Sequence, residues 1–190
     1  LQADPASETA AILALELMDA NQGEAEALVK TYLDNAKASP DVRMGYAREL
    51  AQDHRYSESS SQLSTLTRQH PDLPEPWLLL GSLQAQAKQD AAAENSVKRY
   101  IALAEKQRDG DERSRGMTQA YFVLSQTAER RKDFPAAEGW LAKIDNPEDL
   151  TATQLRRATL LARQGKLDQG REIIRALPAG TADQRRQKLL

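Results

Sequence analysis

The chain has 190 residues, no cysteine and a net charge of −2, with 28% charged, 40% hydrophobic and 5% aromatic side chains. That length can bury a core of its own. The missing thiols exclude disulfides and thiolate metal sites, and the dominance of Ala, Leu, Gln, Glu, Lys and Arg favours helices over strands.

In chain order, a helix over 6–20 breaks at Asn21-Gln22-Gly23 and is followed by a second over 23–38, with Ala25 and Val29 on its apolar face. Pro40 opens the next stretch, 40–53, which breaks at Asp53-His54-Arg55-Tyr56 before 56–70. Pro74 opens 74–88, which breaks at Lys88-Gln89-Asp90 before 91–107. A polar stretch from Gln107 to Arg113 precedes a helix over 114–131. After Arg131-Lys132-Asp133 comes 134–144, with Pro135 early in its helix, where a missing N–H costs little. A last pair, 150–163 and 167–177, flanks Gln164-Gly165-Lys166, and residues 180–190 read as the first helix of a sixth, truncated repeat. The chain begins at Leu1 rather than a methionine, and its last helix has no cap, Gly or Pro, so a piece of a longer, bacterial protein is expected.

Pro40 and Pro74 stand 34 residues apart, and the side chains keep that period. Trp77, Leu80 and Gly81, then Ala93 and Val97, answer Arg43, Tyr46 and Ala47, then Ser59 and Leu63. From Pro74 to Thr118 the spacing is 44, and the excess falls in the polar stretch 107–113. The set Trp77, Leu80, Gly81 and Ala93, with Tyr56 and Phe134 in aromatic slots and Pro71 closing a block, resembles the tetratricopeptide repeat; Gln84 stands where that family has an aromatic residue.

The resemblance covers roughly residues 6–180 and implies an all-α, right-handed α-solenoid of antiparallel hairpins in a single domain, five repeats and a partial sixth. Each hairpin has an apolar face that it cannot bury alone, so neighbours stack; Ala47, Gly81 and Ala93 permit close approach, and Trp77 and Trp140 are expected to pack rather than touch a ligand.

The resemblance also implies that the first helix of each hairpin lines a concave groove. Steps of four along these helices put Met44, Arg48 and Gln52, then Leu78, Ser82 and Gln86, then Phe122, Gln126 and Arg130, then Leu155, Thr159 and Arg163 on that face. Apolar seats beside amide and guanidinium donors suit an extended protein or peptide segment. The family's Lys and Asn clamp for chaperone tails is absent from these positions.

The inventory argues against an enzyme, a cofactor or a small-molecule substrate. His54 and His70 sit beside turns without a partner histidine at helical spacing, the carboxylates form no poised pair, and the glycines form no phosphate loop. Nine cations between Arg156 and Lys188 raise nucleic-acid binding, but the net charge and the lack of interleaved aromatics argue against it. No run reaches the roughly 18 apolar residues of a membrane span, so no membrane insertion of this segment is expected, and cytoplasm and periplasm or envelope both remain open. Residues 1–39 carry seven acids and two bases, whereas 150–190 carry nine bases and three acids; self-association through the ends of the solenoid is therefore the alternative to groove binding.

Overall fold

The computed structural model describes residues 7–18, 22–108, 110–145 and 147–177, so the helix expected over 180–190 lies outside the described residues. Among these the chain is all-α and contains no strand. It divides into two compact units, Leu1–Arg108 and Asp109–Leu190, with the division inside the polar stretch 107–113.

Unit 1 holds α1 (Glu8–Glu16), α2 (Gln22–Leu33), α3 (Pro40–Gln52), α4 (Tyr56–Gln69), α5 (Pro74–Gln86) and α6 (Asp90–Ala104), and consecutive helices pair as hairpins. Helix α3 feeds two core clusters with two faces. Val42, Tyr46 and Leu50, at i, i+4 and i+8, pack with Ala11, Ala14, Val29 and Tyr32; Met44 and Ala47 pack with Leu63, Leu66, Leu80 and Leu83. Each hairpin thus covers the apolar face of its neighbour.

Close helix contacts need small residues. A Cβ on Gly81 would lie 2.5 Å from Val97 Cγ2 and 3.3 Å from the Ala93 carbonyl oxygen, so only glycine fits where α5 crosses α6. At the corresponding α3–α4 crossing the fully buried Ser59 hydroxyl donates to the Ala47 carbonyl at 2.6 Å, so its polar atom is satisfied without water.

Polar groups tie the first two hairpins together. Glu26 Oε1 accepts from Tyr46 Oη at 2.7 Å and Arg55 Nη2 at 2.7 Å, and Lys30 Nζ lies 2.8 Å away. The Arg55 guanidinium, which also pairs with Glu58 at 2.6 Å, holds the Glu26 carboxyl down at about 2, aided by Lys30 and Tyr46 and opposed by burial. Burial and the same carboxylate push the Tyr46 phenol up. Arg43, 9% exposed, donates to the Leu33 carbonyl at 2.8 Å and to Gln62 at 2.6 Å. Its guanidinium thereby satisfies a carbonyl at the end of α2, where the helix dipole favours a cation. That helix ends at Leu33 rather than 38 because Asn35 turns the chain, its side chain accepting from Lys37 N at 3.0 Å.

Unit 2 holds α7 (Asp111–Arg130), α8 (Phe134–Leu141), a 3-10 turn (Pro147–Asp149), α9 (Leu150–Arg163) and α10 (Leu167–Ala176). Its core joins Ala128, Ala137, Leu141, Ile144 and Leu160, flanked by Tyr121, Phe122 and Phe134. Gly170 lets α10 approach α9, since a Cβ there would lie 2.9 Å from the Ala158 carbonyl oxygen.

Four hairpin turns share one backbone solution. His54, Lys88, Lys132 and Gly165 adopt φ of 62, 60, 62 and 80°, each just after a first helix. In each turn the next residue's N–H returns to the carbonyl five residues earlier: Arg55 to Leu50 at 2.8 Å, Gln89 to Gln84 at 2.8 Å, Asp133 to Ala128 at 2.9 Å and Lys166 to Leu161 at 2.9 Å. This left-handed cap closes the helix on its own carbonyls, and only one of the four positions is a glycine.

Candidate functional site

In unit 2, α7 and the start of α9 border a cleft of about 470 Å³. Helix α7 supplies Arg115, Thr118, Gln119, Phe122, Val123 and Gln126, and the far wall carries Asp149 and Arg156. The α7 residues recur at steps of three and four, so they share one face of a 20-residue helix. Phe122 and Val123 are half-buried and form an apolar floor, whereas Gln119 and Gln126 are exposed and offer amide donors and acceptors.

A buried carboxylate positions the basic wall. The Glu129 side chain, 3% exposed, accepts from Arg156 Nη2 at 3.0 Å, and Arg163 Nη1 stands 2.9 Å from its other oxygen as an ion pair whose N–H is not aimed for a hydrogen bond. One carboxylate between two guanidinium groups fixes Arg156 at the cleft and leaves an excess of positive charge beside it. Asp149 is the acid of the lining, and its carbonyl accepts from Thr153 Oγ1 at 2.8 Å.

The residues expected on a groove face are distributed unevenly. Phe122 and Gln126 line the cleft, while Arg163 and the half-buried Arg130 lie at the end of α7 and α9 near Glu129. Leu155 is 41% exposed on α9, and the exposed Thr159 uses its hydroxyl on the Leu155 carbonyl at 3.0 Å.

In unit 1, Met44 and Leu78 are 6% and 8% exposed and belong to the interior, so neither is an open seat. A step of four drifts from the solvent face towards the core, because Met44 also meets the stripe that packs on α4 and α5. Arg48 is exposed and pairs with Glu75 of α5, Ser82 donates back to the Leu78 carbonyl at 2.9 Å, and Gln52 and Gln86 are exposed at the ends of their helices.

Arg115, Thr118, Gln119, Val123, Asp149, Arg156 and the buried Glu129 are absent from the sequence-based set. Continuing the same steps backwards from Phe122 reaches Thr118, and Gln119 lies three residues before Phe122; Arg156 and Arg163, seven apart, share a face of α9. Glu129 gives no sequence signal that separates it from the solvated acids.

Other polar clusters suit packing more than chemistry. His54 is exposed in its turn with Nδ1 2.8 Å from Tyr56 Oη, and His70 closes α4 with its N–H on the Leu66 carbonyl. Trp77 is half-buried and donates to the Pro71 carbonyl at 3.2 Å. Trp140 stacks on Tyr121 with centroids 6.1 Å apart, and Lys143 Nζ lies 4.8 Å from the Trp140 ring centre. No cluster of three or more metal-ligating side chains occurs among the described residues, and none of their helices is long and apolar enough to cross a membrane.

These features define a tetratricopeptide-like α-solenoid of helical hairpins. Solved structures share the fold: MamA from residue 41 to its end, of Desulfovibrio magneticus RS-1, superposes with a TM-score of 0.72 at 14% identity, covering 92% of this chain and 93% of that one. The MamA RS-1 ArsTM double mutant gives 0.71 at 14% identity with the same coverage. The pilF protein of Pseudomonas aeruginosa gives 0.64 at 17% identity, covering 98% of this chain and 84% of that one. No family model and no curated protein sequence matches the chain.

Proposed function

We propose that the chain is a non-catalytic protein-interaction scaffold whose α7–α9 cleft holds an extended segment of another protein. The observation that carries this reading is the pairing of an apolar floor, Phe122 and Val123, with the amide and guanidinium rim of Gln119, Gln126, Arg115 and Arg156. An extended segment brings side chains that need a seat and backbone groups that need partners, and this face supplies both. Hairpin repeats of this fold present such faces on rigid helices, so binding orders the ligand and not the scaffold.

Catalysis has less support. The cleft contains one carboxylate and no histidine, so it lacks a paired acid and base. Nucleic-acid binding is also disfavoured, since Arg156 and Arg163 share Glu129 and Arg171 pairs with Asp168 at 3.1 Å, which leaves fewer cations for phosphates.

The test is affinity capture from a lysate of the source cells with the wild-type chain beside a Gln119→Ala/Phe122→Ala/Gln126→Ala variant, circular dichroism verifying that both fold. A protein retained by the first and lost by the second supports the reading. Identical sets of retained proteins overturn it.

A further inference from the structure

At one end of the α7–α9 cleft the charges do not balance. The Glu129 side chain, 3% exposed, holds two guanidinium groups, Arg156 at 3.0 Å and Arg163 at 2.9 Å, so two positive charges meet one negative. The Arg163 side chain is 59% exposed, where solvent screens it, whereas that of Arg156 is 30% exposed and lines the cleft. Among the described residues Arg156 spends only Nη2, on Glu129, and its Nε and Nη1 find no protein acceptor. The lining holds two further charged groups. Asp149 stands seven residues before Arg156, roughly 10 Å along the helix; it is engaged within the chain and forms no ion pair with Arg156. Arg115 is exposed, with Nε on the Asp111 carbonyl at 3.4 Å and no acidic partner among the described residues, so it adds to the positive charge.

Apolar and cationic groups stand at a definite spacing. Phe122 and Val123 floor the cleft, and Gln126 lies about one turn beyond Phe122 on the same face, roughly 6 Å along the axis. Glu129, which holds Arg156, follows Gln126 by three residues, so Gln126 and Arg156 belong to the same end of the cleft. In an extended chain, side chains i and i+2 leave the same side about 6.5 Å apart. A residue seated on Phe122 therefore places the side chain two residues away at Gln126 and Arg156. Amide and guanidinium donors both call for an acceptor, and a carboxylate is the acceptor that also neutralises the excess charge.

We infer that the segment held in this cleft carries an Asp or Glu that bonds to Arg156 and Gln126, two residues from an apolar side chain seated on Phe122 and Val123. This chemistry of the occupant rests on the α7–α9 cleft being the binding face. Glu129 is a positioning residue, fixing the Arg156 guanidinium at the cleft, and the occupant's carboxylate completes a pairing of two acids with two arginines.

The test begins with selection from a phage-displayed random dodecapeptide library on the full wild-type chain. Peptides displayed at the amino end of a coat protein have no free C-terminus, so any acid selected is a side chain. Fluorescence anisotropy then compares the most enriched peptide with an analogue whose acid is replaced by the amide, on wild type, Arg156→Gln and Phe122→Ala. Arg163 stays on Glu129 in Arg156→Gln, so the buried carboxylate keeps a cation, and circular dichroism verifies that both variants fold. Enriched sequences are expected to carry Asp or Glu two residues from a large apolar residue, and the analogue to bind wild type about tenfold more weakly. On Arg156→Gln the two peptides are expected to bind alike. Enriched sequences without that acid overturn the inference, as does an equal loss on wild type and Arg156→Gln; where Phe122→Ala still abolishes binding, the cleft itself stands as the binding face. A wild type that enriches no peptide, or peptides indifferent to both substitutions, overturns the cleft and the inference together.

Discussion

Glu129 Oε2 accepts a hydrogen bond from Arg156 Nη2 at 3.0 Å, joining a buried carboxylate of α7 to the basic wall of the α7–α9 cleft. Glu129→Gln keeps the shape and removes the charge that holds Arg156 and Arg163. Stability is expected to fall by about 2 kcal/mol, the usual cost of leaving buried polar groups badly matched. Urea denaturation monitored by circular dichroism measures it; an unchanged midpoint would mean that Glu129 does not hold the wall.

Gly81→Ala is expected to destabilise the α5–α6 hairpin, although alanine is the better helix former. The added methyl meets Val97 Cγ2 at 2.5 Å and backbone atoms at 3.2 and 3.3 Å, and the β-branched valine has little freedom to turn away. Packing strain of about 2 kcal/mol outweighs about 1 kcal/mol of gained propensity, for a net loss near 1 kcal/mol. The loss should shrink in a Val97→Ala background, and a double-mutant cycle reads that coupling.

The left-handed caps predict that introducing a glycine there stabilises and removing one destabilises. Lys88→Gly is expected to stabilise by up to about 1 kcal/mol, because Lys88 holds φ of 60°, whereas Gly165→Ala, at φ of 80°, is expected to cost about 1 kcal/mol. Thermal melts of the two variants check the signs.

Glu26 makes part of the stability pH-dependent. Its carboxyl is held at about 2, below the ordinary value of 4.5, so the folded state favours the ionised form. The contribution is fully present above about 4.5 and is lost as pH falls from there through about 2. Glu26→Gln should therefore be less stable than wild type at neutral pH, and the gap should close as the pH is lowered through that window. Denaturant midpoints taken as a pH series test it; a constant gap would mean that the charge of Glu26 contributes nothing.

The all-α hairpin fold was legible because its signals are local. Pro40 and Pro74 open α3 and α5, and Gly81 and Ala93 meet at a helix crossing as small residues must. Some of the period survives changes of residue type. Arg43 stands 34 residues before Trp77, and both donate to a carbonyl at the end of the preceding hairpin, one from a guanidinium and one from an indole. The cleft was less legible. Steps of four reach Phe122 and Gln126, which line it, but also Met44 and Leu78, which the stacking of neighbours buries, and only tertiary contacts separate those cases. The Glu26 hub spans α2, α3 and α4, so its members, Tyr46 and Arg55 among them, lie far apart in the chain and no spacing announces them.

The most direct test of the scaffold reading is photo-crosslinking in the source cells, with p-benzoylphenylalanine placed in turn at Gln119 and Gln126 on the cleft and at Asn95 and Ala102, exposed on α6. One protein partner is expected to crosslink from 119 and 126 and not from 95 and 102. Crosslinks of equal yield from all four positions, or from the α6 positions alone, would contradict it.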